Sequence, residues 1–191
     1  MATRSGRIGE ACAWLDEQKL DGLVAFSDGH NSFLESNAVL VFSGLRPMGE
    51  SAFVLQADGT STLITTPAWD GERAAALSQT THVKAVDDLA AALCDHLQST
   101  GLSACKLAVI ALNKQRGIVA RTVLASLEHK PREENTLAAH IARIRTPEEI
   151  ASLKKATWIA ERGYERLMES ARPGIREFEL AADIYTYMKG L

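Results

Sequence analysis

The stretch SAFVLQ-ADGT-STLITT, residues 51–66, decides the fold. Ser51 to Gln56 and Ser61 to Thr66 are runs of β-forming residues, with Asp58-Gly59 between them. An Asp-Gly pair tolerates the positive backbone angles that a tight reversal needs, so the stretch predicts an antiparallel hairpin.

Outward from the hairpin, helical and strand-like segments alternate. Upstream, Ile8, Cys12, Leu15 and Leu20, with Ala11 and Trp14 beside them, have the spacing of an amphipathic helix. Leu23-Val24-Ala25-Phe26 is short, apolar and followed by Ser27-Asp28-Gly29, which reads as a buried strand entering a turn. The residues between that turn and the hairpin read as irregular. Downstream, 68–77 predicts a helix and 83–86 a short strand. Asp87 or Asp88 can cap the next helix, which carries Leu89, Leu93 and Leu97 on one face and stops at Ser99-Thr100-Gly101. Residues 106–112 (KLAVIAL) read as another buried strand and 117–127 as another helix. Strands alternating with helices, plus one hairpin, imply an α/β domain built on a mixed β-sheet flanked by helices.

Pro131 and the charges of Lys130, Arg132, Glu133 and Glu134 interrupt the apolar pattern, which places a domain boundary there: 1–132 and 133–191. After Arg145 the pattern is all-helical. Thr146-Pro147-Glu148-Glu149 predicts a helix start in which Thr146 and Glu149 cap each other's backbone amides and Pro147 takes the first helical position. Ile150, Leu153, Thr157, Ala160, Tyr164 and Leu167 recur at helical spacing. Pro173-Gly174 stops that helix, and Phe178, Ala181, Ile184 and Met188 mark a further one.

Composition narrows the function classes. The 191 residues are 46% apolar and 24% charged, enough for a buried core in an ordinary globular protein. A formal net charge of −3 without Lys/Arg clusters disfavours non-specific nucleic-acid binding. The opening residues lack the apolar core of a secretory signal, and no 18-residue apolar run predicts a membrane span. The three cysteines, Cys12, Cys94 and Cys105, form no metal-type pair and are odd in number, as expected of free thiols in a cytoplasmic protein.

Catalytic patterns are missing. Asp95-His96 lies in a helical stretch, where neighbours point in different directions. Glu133-Glu134 and Glu148-Glu149 are explained by linker charge and helix capping rather than paired acid/base chemistry. No Ser or Cys sits in a nucleophile motif, and Gly44 and Gly49 frame no phosphate loop because the following Lys-Ser/Thr is absent. Trp69 is expected to pack rather than to stack on a ligand.

At Ile144-Arg145-Thr146-Pro147-Glu148-Glu149-Ile150, with Ala156 following and Arg172-Pro173-Gly174-Ile175-Arg176-Glu177 further on, the chain resembles the creatinase/prolidase family of "pita-bread" metallohydrolases. Members enter their catalytic domain through a pattern close to R-x-I-K-[ST]-x-E-E-I, a long helix, then P-G-x-[TS]-E and another helix. Arg145 stands where Lys is usual. Arg176 replaces the usual hydroxyl residue, which removes a helix N-cap. The resemblance implies the family's amino-terminal α/β domain followed by the first helices of the pita-bread α+β domain.

The implied parent is a metal-dependent hydrolase, most commonly an Xaa-Pro peptidase acting on peptides. Its two divalent ions (Mn, Co or Zn) are held by two Asp, one His and two Glu of the later domain. None of that set is visible here: the only Asp after Arg145 is Asp183, and no His follows His140. The chain is therefore expected to carry no catalytic and no metal-binding residue of its own, to shape substrate access and to form a homodimer.

His30-Asn31 and Arg46-Pro47 also resemble a creatinase segment in the same place. There an arginine reaches the substrate carboxylate in the partner's active site. By that resemblance Arg46 and His30 are the candidate substrate-binding residues. This likeness opens a second reading, the same half of a creatinase, ectoine hydrolase or dimethylsulfoniopropionate lyase-type enzyme acting on a small molecule. A third is a metal-free binding module on the same plan.

Overall fold

The computed structural model describes residues 4–30 and 37–191 and divides the chain into two compact units, Met1–Ile144 and Arg145–Leu191.

In the first unit, α1 (Arg4–Gln18) leads into β1 (Gly22–Ser27), α2 (Ala38–Ser43) and the hairpin of β2 (Ser51–Gln56) and β3 (Ser61–Thr65). The Asp58-Gly59 turn forms as its chemistry dictates: Gly59 takes φ 89° and the Asp58 carboxylate accepts from the Thr60 amide at 2.8 Å. There follow α3 (Gly71–Leu77), β4 (His82–Ala85), α4 (Leu89–Ser99), β5 (Leu107–Ile110), α5 (Gly117–Ser126), β6 (Arg132–Glu133) and α6 (Leu137–Ile141). Asp88 caps α4 by accepting from the Ala91 amide, as its position predicts.

The six strands form one mixed sheet in the order β4-β3-β2-β1-β5-β6, so the expected fold class is the observed one. Only β2 runs against the rest: it pairs antiparallel with β1 and β3, whereas β1–β5, β3–β4 and β5–β6 are parallel. Alternate residues serve two cores. Leu23, Ala25, Phe53, Leu55 and Ile110 pack with α1, α2 and α6, whereas Val24, Phe26, Val54, Ile64 and Val109 pack under α4 and α5. The result is a helix–sheet–helix sandwich in which the central strands are buried on both faces.

Two features depart from the sequence reading, and one buried arginine lies outside it. The segment expected to be irregular contains α2, capped by the Asn37 side chain on the Leu40 amide and closed by Gly44 at φ 76°. The charged stretch at 130–134 carries β6, whose backbone pairs with β5, and the compact unit closes at Ile144, beyond the expected 132/133 division. Arg132 and Glu133 look like linker because β6 is a short exposed edge, where charge discourages further strand pairing. Finally, Arg7 of α1 is 2% exposed and donates from Nη2 to the Ile144 carbonyl at 3.2 Å, tying the first helix to the last residue of its unit.

The second unit is a pair of helices, α7 (Pro147–Ser170) and α8 (Glu177–Lys189). The capping box forms as expected: Thr146 Oγ1 accepts from the Glu149 amide at 3.2 Å, and Glu149 accepts from the Thr146 amide at 3.0 Å. At α8 the hydroxyl is indeed absent, but Glu179 accepts both from the Arg176 amide (3.1 Å) and from its Nη2 (2.5 Å), which supplies the other half of the cap. Gly163 is buried against Met188 where the helices meet. Ile150, Leu153, Tyr164 and Phe178 stay exposed.

Candidate functional site

Because five strands point the same way, the loops after β1, β3, β4 and β5 and the loop before β2 gather at one end of the sheet. Both candidate substrate-binding residues lie there. His30 follows β1 through Asp28-Gly29, and Arg46 precedes β2.

Close backbone contact fixes these loops. Gly29 takes φ 81°, and a Cβ on it would sit 2.9 Å from the Gly49 backbone. A Cβ on Gly49 would in turn meet Thr66 Oγ1 at 2.5 Å. The loops carrying His30, Arg46 and the cis Thr66-Pro67 bond therefore stack with no room for side chains between them. Thr66 completes the stack by donating from Oγ1 to the Glu50 carbonyl at 2.9 Å.

Within this frame Arg46 and His30 are both exposed. His30 Nδ1 is 3.5 Å from the Asp28 carboxylate, and its amide donates to Asp28 Oδ1 at 2.8 Å. The Arg46 carbonyl accepts from Arg73 Nη2 at 3.3 Å, and Arg73 grips the buried Asp70 carboxylate through two 2.5 Å bonds. Asn31, the neighbour on which the resemblance also rested, lies outside the described residues.

Sequence reading missed two groups at this end. The Glu50–Arg116 ion pair joins the start of β2 to the start of α5, and the Asp70–Arg73 pair supports the Arg46 loop. No local motif announces Glu50–Arg116, since the partners are 66 residues apart. Trp69, expected to pack, is instead 72% exposed beside Asp70, and Met48 is 56% exposed. The short helical turn at 68–70 buries Asp70 and leaves the indole outside.

This end of the sheet carries exposed side chains, among them Arg46, Met48 and Trp69, on closely stacked loops. Among the described residues no three His, Cys, Asp or Glu converge as metal ligands. Asp183 is also engaged: it accepts two 2.8 Å bonds from Arg166 and one of 2.6 Å from Ser170, and these hold its carboxyl below the usual range. Among the described residues, therefore, no group fits a metal pair. Asp95 and His96 diverge, with His96 buried and Asp95 exposed. Cys12, Cys94 and Cys105 are free thiols. No helix among the described residues is long and apolar enough to cross a membrane.

Neither a protein-family model nor a curated protein matches the sequence. Solved structures do match in fold. Prolidase from Pyrococcus horikoshii OT3 aligns with TM-score 0.76 at 17% identity over 97% of this chain and 48% of its own. Xaa-Pro dipeptidase from Bacillus anthracis aligns with TM-score 0.76 at 16% identity over 98% and 49%. X-Pro aminopeptidase from Thermotoga maritima MSB8 gives 0.77 at 17% identity over 96% and 49%. The chain spans about half the length of these structures. Its mixed six-stranded sheet, flanking helices and following helix pair are thus the fold of the amino-terminal part of prolidases and Xaa-Pro peptidases.

Proposed function

We propose that this chain is the amino-terminal, non-catalytic part of a metal-dependent Xaa-Pro peptidase-like hydrolase, in which it shapes substrate access and supports dimerisation. The observation that carries the reading is the fold match over nearly the whole chain to about half of each neighbour. The described residues contain no metal cluster, so the two divalent ions (Mn, Co or Zn) belong, in this reading, to a following pita-bread catalytic domain. The free thiols favour a cytoplasmic setting.

In this role Arg46 and His30 stand at the substrate approach. A guanidinium on a braced loop suits pairing with a peptide or small-molecule carboxylate. Sequencing the gene beyond the codon for Leu191 tests the proposal. Two Asp, one His and two Glu at metal-ligand positions are expected. An open reading frame continuing into an unrelated domain would refute it. In the extended protein, Arg46→Ala is expected to lower kcat/KM on an Xaa-Pro dipeptide about tenfold or more, while an unchanged value removes Arg46 from the site.

A further inference from the structure

A cleft opens at the opposite end of the sheet from Arg46, where β5 begins and the chain approaches β6. It has a volume of about 360 Å³ and is lined by Leu20, Lys106, Leu107, His129, Lys130 and Arg132. That volume falls within the range of small-molecule sites. No Asp or Glu lines it, although the chain as a whole is acidic, at −3.

The cationic lining is partly braced. Arg132 donates from Nη1 to Gln18 Oε1 at 2.6 Å, and its guanidinium lies 5.5 Å from the centre of the Trp14 ring. Two acids stand near this lining, each partly engaged by a backbone or hydroxyl donor. Asp21 Oδ2 accepts from the Lys106 amide at 2.8 Å. Glu134 accepts from the Thr136 hydroxyl through Oε1 at 2.6 Å, the main cause of its lowered pKa, and its Oε2 makes a long 3.8 Å ion pair with Arg132 Nη2. Lys106 and Lys130 bring two further positive charges to the lining, with the apolar Leu20 and Leu107 beside them. Like charges around one concave surface repel one another and concentrate anions from solution.

We infer that this cleft, formed by Lys106, Lys130 and Arg132 over Leu20 and Leu107, binds a small organic anion with a phosphate or carboxylate headgroup and a compact apolar body. The headgroup is held chiefly by Lys106 and Lys130, with Arg132, braced by Gln18 and at long range by Glu134, adding positive potential beside them. The apolar body rests on the two leucines. The site is separate from the proposed peptide site, since it lies at the other end of the strands, and the inference does not depend on that reading.

Two probes separate the headgroup chemistries: phenyl phosphate and benzoate, each titrated into the isotopically labelled 191-residue chain and followed by backbone amide shifts. Saturable shifts confined to the amides of residues 106, 107, 129, 130 and 132, with a dissociation constant of about 1 mM or tighter for at least one probe, are expected. The probe that binds more tightly identifies the headgroup. The double variant Lys106→Gln, Lys130→Gln should weaken binding at least tenfold with unchanged thermal stability, whereas Lys154→Gln, Lys155→Gln should not. Absence of saturable shifts at the amides of residues 106, 107, 129, 130 and 132 for both probes, or binding that survives loss of Lys106 and Lys130, would overturn the inference.

Discussion

Arg166 on α7 and Asp183 on α8 form a two-pronged ion pair, Nε and Nη2 each 2.8 Å from a carboxylate oxygen. Together with the Ser170 hydroxyl, this pair turns the one aspartate after Arg145 into a clasp between helices. Asp183→Asn should therefore loosen the hairpin, seen as faster amide exchange in residues 177–189. Calorimetric titration of the 191-residue chain with Mn²⁺ should show no stoichiometric capture. Tight capture that vanishes in Asp183→Asn would contradict the clasp assignment.

Thr146→Ala removes one half of the reciprocal cap at α7. Loss of an N-cap hydroxyl typically costs about 1 kcal/mol. The cost should fall on the first turn, so exchange of the Glu149 and Ile150 amides is expected to rise more than that of residues near Gly163. Equal acceleration along the whole helix would show that the cap does not hold its start.

Gly49→Ala tests the stacked loops. Its Cβ would fall 2.5 Å from Thr66 Oγ1 and 2.8 Å from the Thr66 carbonyl, so one loop must move. A destabilisation of about 1–3 kcal/mol is expected by chemical denaturation, as for overpacked sites. Gly9→Ala, whose Cβ would meet nothing within 4 Å, is the comparison. Equal effects of the two would mean that the loops are not in contact.

His96 supplies a pH dependence. It is 6% exposed, its Nδ1 lies 3.4 Å from Lys84 Nζ, and its pKa is lowered by burial first, then by Lys84 and His82 on β4. Exposed Asp95 is its nearest acid along α4. Depression in the folded state favours the neutral ring. The stabilisation is thus complete above the unfolded value of about 6.5 and declines as pH falls below it, toward the folded value. Thermal unfolding between pH 7.5 and 5 should show a loss of stability that His96→Gln reduces. An unaltered profile in that variant would remove His96 as its source.

The legible parts of this fold are those with local chemistry. The hairpin announced itself through Asp58-Gly59, α4 through Asp88 and its leucine stripe, and α7 through four agreeing residues at Thr146–Glu149. Helix α2 did not, because Ala38–Ser43 (AVLVFS) is a short continuous apolar run that lacks a visible period. β6 was hidden by charge, since an edge strand of two residues shows no alternation. For the candidate site, the sequence identified Arg46 and His30 only by resemblance. Glu50–Arg116 depends on which loops the strand order brings together, and no window of sequence reports that, while the local Asp70–Arg73 pair is in reach of a window but its hold on the Arg46 carbonyl is not.

All six strands lie between Gly22 and Glu133, and the helices that cover them are complete by Ile141. During synthesis the sandwich can thus close before the helix pair is complete, as domains generally fold as units from the amino-terminal side. Nascent chains stalled just after Ile144 has left the ribosome should already resist protease across residues 51–133, whereas sensitivity until α8 emerges would mean that the helix pair is required for closure.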